Sequence, residues 1–385
     1  MSFIAVSPWN LDLEVPRHAS PAPTVSMLPV QELHLDDFLI ETTQRGASDL
    51  HLTERIPPIV RVDGKLVRLN YDALTSQDIQ RLVYDVLTKE QIQWFEKVRE
   101  LDFSYGIPGV GRFRFNVYRQ RGSIGAAMRA IPSKIPTLEE LKLPPILREL
   151  TRKPSGLILV TGATGAGKST TLAAMLDAIN GERDCHIMTI EDPIEYLHTH
   201  RRAMINQREL GQDTNSFENA LRAVLREDPD VVLIGEMRDL ETIAAAITMA
   251  ETGHLVFATL HTRNAPQTVD RIVDVFPAHQ QEQIKVQLAN SLEAVVAQQL
   301  LPRVGGGRVP ALEIMLATSA VRNIIRTGKS EQLYSCVETG LGIGMQTMDR
   351  ALSELVRRGV VVPEAARSAS IDPENLARTM KSAGM

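Results

Sequence analysis

The stretch from Gly162 to Thr170, GATGAGKST, lies between the apolar run LILVT (157–161) and the helical pattern TLAAMLDAI (171–179). It fits G-x-x-x-x-G-K-[ST] in the order strand, loop, helix, which is the context that gives the pattern meaning. Its glycines, Gly162, Gly165 and Gly167, let the backbone curl so that successive N–H groups face inward, with Ala163, Thr164 and Ala166 completing the curl. The helix that follows adds the positive end of its dipole. Lys168 brings a full charge to β- and γ-phosphates, Ser169 a hydroxyl for Mg²⁺, and Thr170 closes the motif. The stretch therefore reads as a site for a nucleoside triphosphate with Mg²⁺.

Around this loop, strand and helix alternate. LILVT, HIMTI (186–190), VVLIG (231–235) and HLVFATL (254–260) are short, continuously apolar runs, as expected of parallel strands buried on both faces. Between them, SFENALRAVLRE (216–227) places Phe217, Ala220, Leu221, Val224 and Leu225 on one stripe. LETIAAAITMAE (240–251) does the same with Leu240, Ile243, Ala244 and Ile247. This rhythm predicts a doubly wound α/β sheet with its site at the carboxyl ends of the strands. Three such ends run into charge-capable residues, Glu191, Glu236 and His261. Hydrolysis needs a group that activates water, a carboxylate near the metal and a sensor of the γ-phosphate, and the inventory meets those needs. His254 begins its strand, seven positions from His261, and is expected to be structural.

Residues 31–130 read as a separate α/β domain. It has a helix in LDDFLIETTQRG (35–46), a hairpin IVRV-DG-KLVRL turning at Asp63-Gly64, and a helix in SQDIQRLVYDVLTKEQIQWFEKV (76–98). A meander follows through DFSYGI, RFRFNVYRQRG and SIGAAMRAI (102–131). Residues 1–30 read as a disordered leader, proline-bearing 131–155 as a linker, 156–370 as the nucleotide domain and 371–385 as a tail.

Two sets of arginines are candidates for neutralising transition-state charge. Arg222 and Arg226 are one helical turn apart; Arg112 and Arg114 alternate with Phe113 and Phe115, with Arg129 on the next strand. A solvated basic edge is equally compatible with either spacing.

Composition removes several classes. Of 385 residues, 43% are hydrophobic and 23% charged, with a net charge of -5. Neither a basic channel nor a Lys/Arg run with interleaved aromatics is visible, so a nucleic-acid partner is not expected. The two cysteines, Cys185 and Cys336, form no CxxC, and no apolar run reaches the ~20 residues of a membrane span. A cytoplasmic location is the expectation.

GATGAGKST, TIEDPIEY (189–196), ALRAVLREDPDVVLIGEMRDLETI (220–243) and TGHLVFATLHT (252–262) resemble the Walker A, Asp-box, Walker B and His-box segments of type II/IV secretion ATPases. ASDLHL, GRFRFNVYRQRG, AVRNIIRTGK (320–329), QLYS and GMQTMDRAL extend the likeness, which is greatest to the PilT family of type IV pilus retraction ATPases. The resemblance implies a PAS-like N-terminal domain, a RecA-like P-loop ATPase domain with a helical C-terminal region, and a homohexamer. It implies Glu191 as general base, Glu236 acting on Mg²⁺ and His261 as γ-phosphate sensor. Arg114, Arg129, Arg222 and Arg226 would be the charge-neutralising set, and Arg322, Asn323 and Arg326 the retraction or partner motif, with Thr327 where the family has an acid. The implied partners are an inner-membrane platform protein at the cytoplasmic face and a paralogous retraction ATPase. A related secretion or conjugative-pilus ATPase, an accessory nucleotide-gated paralogue and a DNA-strand motor are the alternatives.

Overall fold

The structure is a computed structural model that describes residues 29–382 apart from 63 and 133. The expected leader up to residue 28, Asp63 of the hairpin turn and the last three residues of the tail lie outside the described residues. The chain divides into two compact units. One holds the described residues up to Leu101 with Asn116–Arg129; the other holds Asp102–Phe115 and everything from Ala130 onward.

The first elements are α1 (Leu35–Gln44), β1 (Asp49–Leu52), β2 (Ile59–Val62), β3 (Lys65–Arg68), α2 (Ser76–Tyr84), α3 (Lys89–Val98), β4 (Glu100–Ile107), β5 (Gly111–Gln120) and β6 (Ser123–Ile131). The strands form one sheet in the order β3-β2-β1-β6-β5-β4. β2 pairs with β3 in an antiparallel hairpin closed at Val62↔Lys65, beside Gly64 at φ +79°. The single helix expected over 76–98 is two helices. Thr88 accepts from the Gln91 N–H while the Gln91 side chain accepts from the Thr88 N–H, a capping box that starts α3. On β5, Phe113 and Phe115 are buried and Arg114 is exposed, as the alternation requires.

The remaining elements are α4 (Ile146–Thr151), β7 (Gly156–Thr161), α5 (Lys168–Glu182), β8 (His186–Glu191), β9 (Met204–Glu209), α6 (Phe217–Val224), β10 (Val231–Ile234), α7 (Leu240–Glu251), β11 (Leu255–Leu260), α8 (Ala265–Asp274), α9 (Ala278–Ser291), β12 (Leu292–Pro302), β13 (Arg308–Leu316), α10 (Ser319–Thr327), α11 (Leu333–Thr339), α12 (Met348–Arg357), α13 (Pro363–Ala369) and α14 (Pro373–Ser382). The sheet order is β13-β12-β7-β11-β10-β8-β9. All neighbours are parallel except β12 and β13.

Alternate residues of the same strands feed two cores. Leu157, Leu159, Val232 and Val256 pack with α6–α10, whereas Ile158, Val160, Leu233 and Phe257 pack with α4 and α5. Both faces are therefore covered, which is why these strands read as continuous apolar runs. The fold is a mixed α/β fold in which helices flank a largely parallel P-loop sheet.

Three expectations need correcting. The segment 131–155 is not all linker: Leu138, Leu143, Leu147 and Leu150 are buried in the second of these cores. The tail from 371 includes α14, whose Leu376 and Met380, spaced i, i+4, are buried with Leu352 of α12. Finally, α6 stops at Val224, so Leu225 is exposed and Arg226 follows the helix rather than sharing its face with Arg222. Asp228 precedes Pro229 and sits at φ +53°, and the residue before a proline is poorly placed to continue a helix.

Candidate functional site

Parallel pairing sets the carboxyl ends of β7, β11, β10 and β8 side by side. Leu260 lies opposite Thr161, and Ile234 opposite both Ala258 and Ile190. The residues that follow these ends are therefore neighbours, although they are up to about 100 positions apart in sequence.

After β7 the loop Gly162–Gly167 curls into the start of α5. Gly162 has φ +141°, and a Cβ there would collide with the carbonyl oxygen of Gln298 on β12. Gly167 has φ +87° and caps α5 in the left-handed region. Only glycine meets both demands without strain. Lys168 is folded back across the loop, its Nζ donating to the Gly162 carbonyl at 2.7 Å and to the Ala163 carbonyl at 3.3 Å. Burial lowers the pKa of this amine, opposed by the negative charges of Glu236 and Glu195. Ser169 and Thr170 follow on the first turn, half-buried, with the Thr170 hydroxyl 2.9 Å from that of Tyr196.

Glu191 ends β8. Its Oε1 accepts from Thr189 Oγ1 at 2.6 Å and Gln207 Nε2 at 3.1 Å, and its Oε2 from the Glu195 N–H at 3.4 Å. Desolvation dominates over these bonds and raises its pKa above the usual carboxylate value. Glu236 stands in the opposite state. Its Oε2 accepts from Arg238 at 2.7 Å and its Oε1 lies 3.1 Å from His261 Nε2. The Arg238 hydrogen bond is the main cause that lowers its pKa, helped by the charges of Arg238, His261 and Lys168. The two carboxylates are thus driven apart in proton affinity, the usual mark of divided acid–base roles.

Beside the loop is a cleft of about 350 Å³, with Leu141, Leu143, Leu300 and Val309 on its apolar walls and Thr170 and Arg308 among its polar ones. His254 lies away from the cluster, tied to the end of α7 through the Met249 carbonyl at 3.0 Å.

The arginines are dispersed. Arg222 is exposed and paired with Glu218 at 2.6 Å, and Arg226 is exposed just after α6. Arg129 pairs with Asp49 at 2.9 Å within the first unit. Arg112 pairs with the buried Glu209 at 3.2 Å, both in the second unit. None of these contacts is to the Glu236–His261 pair. Arg238, Gln207 and Thr189, which hold the two key carboxylates, were not legible as partners: each is a common polar residue whose contact depends on the fold.

The helix α10 behaves as its sequence suggests at its ends. The Thr318 hydroxyl accepts from the Val321 N–H, and Gly328 closes the helix at φ +68°. Val321, Ile324 and Ile325 are buried. Arg322 is spent inside the fold: it donates to the Ala289 and Asn290 carbonyls at 2.7 Å each, and to Glu293 at 2.6 Å. Arg326 reaches Asn290 at 3.3 Å, while Asn323 is exposed. A guanidinium on the C-terminal carbonyls of α9 is favoured by the helix dipole as well as by its bonds. Replacing Arg322 with alanine is therefore expected to lower stability by about 2 kcal/mol. An unchanged urea midpoint would leave Arg322 without this structural part.

A family model described as Type II/IV secretion system protein matches residues 25–306. The chain is 49% identical over 343 residues to the type IV pilus retractation ATPase PilT of Pseudomonas aeruginosa, covering 89% of this chain and 100% of that one. It is 50% identical over 320 residues to the twitching motility protein of Neisseria gonorrhoeae, covering 83% and 86%. A crystal structure of the pilus retraction motor PilT with bound ADP matches with a TM-score of 0.85 at 49% identity, over 90% of this chain and 100% of the other. With its P-loop sheet, its cluster of strand-end residues and these matches, the chain belongs to the type II/IV secretion system protein family and, within it, to the PilT-family type IV pilus retraction ATPases.

Proposed function

We propose that this chain is the ATP-hydrolysing motor of type IV pilus retraction and hence of twitching motility. In this reading it acts as a homohexamer at the cytoplasmic face of the inner membrane, on a platform protein through which pilin subunits leave the fibre. A paralogous retraction ATPase would share that platform. The observation that supports this most is the Glu236–His261 pair at 3.1 Å, at strand ends beside a P-loop whose Lys168 charge helps keep Glu236 ionised, in a chain of this family. Among the described residues no helix is long and apolar enough to cross a membrane.

In the proposed cycle the loop 162–170 holds the phosphates, and the base lies in the adjoining cleft. Glu191, made more basic by desolvation, takes the proton of the attacking water. His261 senses the γ-phosphate through its bond to Glu236. Arg114, Arg129, Arg222 and Arg226 are the proposed charge-neutralising set, Arg222 by exchanging Glu218 for phosphate. Its guanidinium is exposed, so the exchange is energetically small.

Magnesium fits the donors present. Ser169 offers a hydroxyl at the start of α5, and Glu236 a carboxylate kept ionised by its neighbours. Among the described residues no cluster of three or more His, Cys, Asp or Glu side chains could hold a metal alone. Mg²⁺ takes most of its ligands from phosphate and water, so this sparse set suffices, and the bound ion would neutralise charge on the β- and γ-oxygens.

The test has two parts. The purified protein should release phosphate from ATP and sediment as a hexamer. Cells lacking the gene should carry surplus, unretracted pili, whereas bald cells would place the motor in assembly and end the retraction reading.

A further inference from the structure

The P-loop is held by its own bonds, Ala166 N–H to the Ala163 carbonyl and Lys168 to Gly162 and Ala163, and also by a side chain from another strand. Thr161, the last residue of β7, lies opposite Ala297 of β12, so β12 runs on beside the loop and Gln298 is its next residue. Gln298 is buried, at 2% exposure. Its Nε2 donates to the carbonyl of Ala166 at 2.7 Å, and its Oε1 accepts from the Thr171 hydroxyl at 2.7 Å. The same residue sets the tolerances of two loop glycines. Its carbonyl oxygen lies where a Cβ on Gly162 would go, and its Nε2 is 2.8 Å from a Cβ built on Gly167.

We infer that Gln298 is a positioning residue for nucleotide binding, which turns the Ala166–Gly167 peptide so that its N–H is presented to phosphate. This inference rests on the nucleotide reading of the loop.

The physical reason lies in the planar trans peptide, whose C=O and N–H point in opposite directions. Holding the Ala166 carbonyl against β12 forces the Gly167 N–H away from β12. With φ at +87°, Gly167 has the freedom to turn the other way, because glycine populates positive and negative φ alike. A loop that binds anions through N–H groups needs that choice made in advance, since any reorientation is subtracted from affinity. The amide of Gln298 is itself oriented. The Ala166 carbonyl can only accept, so it takes the NH₂ end of the amide, and the Thr171 hydroxyl holds the other end by donating to Oε1. Thr171 thereby acts on the loop through Gln298. The chain is Thr171 to Gln298 to Ala166, and it links α5, β12 and the loop.

The experiment measures ADP binding by titration calorimetry on the full-length protein, with thermal unfolding and the folded fraction from circular dichroism beside it. Gln298→Leu keeps the bulk and removes both bonds. It should weaken ADP binding about tenfold for protein that is fully folded, and raise KM for ATP more than it lowers kcat. Thr171→Val, which removes only the orienting donor, should weaken binding about threefold, and Thr171→Ser, which keeps the hydroxyl, should restore it. Parental affinity in Gln298→Leu overturns the inference, as does an affinity loss no larger than the unfolded fraction. If Gln298→Leu does not fold, the Thr171 pair decides, and equal affinities for Val and Ser overturn it. A parent protein that binds no ADP would strike down the nucleotide reading itself.

Discussion

Replacing Glu191 with glutamine is expected to lower the rate constant for ATP hydrolysis by about 10²–10⁴, the range over which a positioned general base contributes. Glutamine keeps the size of the side chain, and its one oxygen can still accept from Thr189 and Gln207, but its NH₂ replaces the oxygen that faces the Glu195 N–H and it cannot take a proton. Stability moves the other way. Burial raises the pKa of Glu191 in the folded protein, so ionising it costs stability that is regained as pH falls through the folded value. The neutral glutamine escapes that cost, and the variant should melt no lower than its parent at neutral pH. The rate profile carries the same signature: the acid limb of kcat should lie above the usual carboxylate range and disappear in the variant. A variant that hydrolyses ATP at the parental rate would remove Glu191 from the base role.

Lys168→Ala is expected to reduce kcat by about 10²–10³, the loss typical of one preorganised electrostatic donor. At rest the amine is satisfied by the Gly162 and Ala163 carbonyls, so a bound phosphate has to offer it more than two neutral acceptors do. Two oxygens bearing negative charge meet that condition, because charge-assisted bonds are roughly twice as strong. Burial lowers the pKa of Lys168, so its charged form is held at some expense to the fold. Alanine removes that burden, and the melting temperature should therefore stay near the parental one while activity collapses. Activity and stability falling together would mean that the lysine chiefly supports the loop.

Much of the architecture was open to reading because it depends on neighbours in sequence. The loop at 162–170 sits between a strand and a helix, and each can be recognised within ten residues. Thr318 and Gly328 bound α10 through local hydrogen bonds. The capping box at Thr88 was equally local, yet the apolar spacing ran on across the break between α2 and α3 and concealed it. The proline after Asp228 likewise marked the early end of α6.

The site divides along a different line. Apolar periodicity and strand ends were enough to nominate Glu191, Glu236 and His261, because parallel strands deliver their ends to one edge. Nothing along the chain said that Arg238 would hold Glu236 ionised, or that Gln207 would reach Glu191 from β9. Nor was there a sign that Arg322 would turn inward onto α9.

The amino-acid order by itself determined that a phosphate loop begins a parallel sheet, since glycine freedom, helix caps and hydrophobic period act over a few residues. Only the tertiary structure decided which carboxylate is kept charged, which is desolvated, and which glutamine braces the loop. Burial and contacts remote in sequence, Gln207 on Glu191 and Gln298 on Ala166, set two of those outcomes, and the turn after β10 that brings Arg238 onto Glu236 sets the third; all arise only once the sheet has assembled.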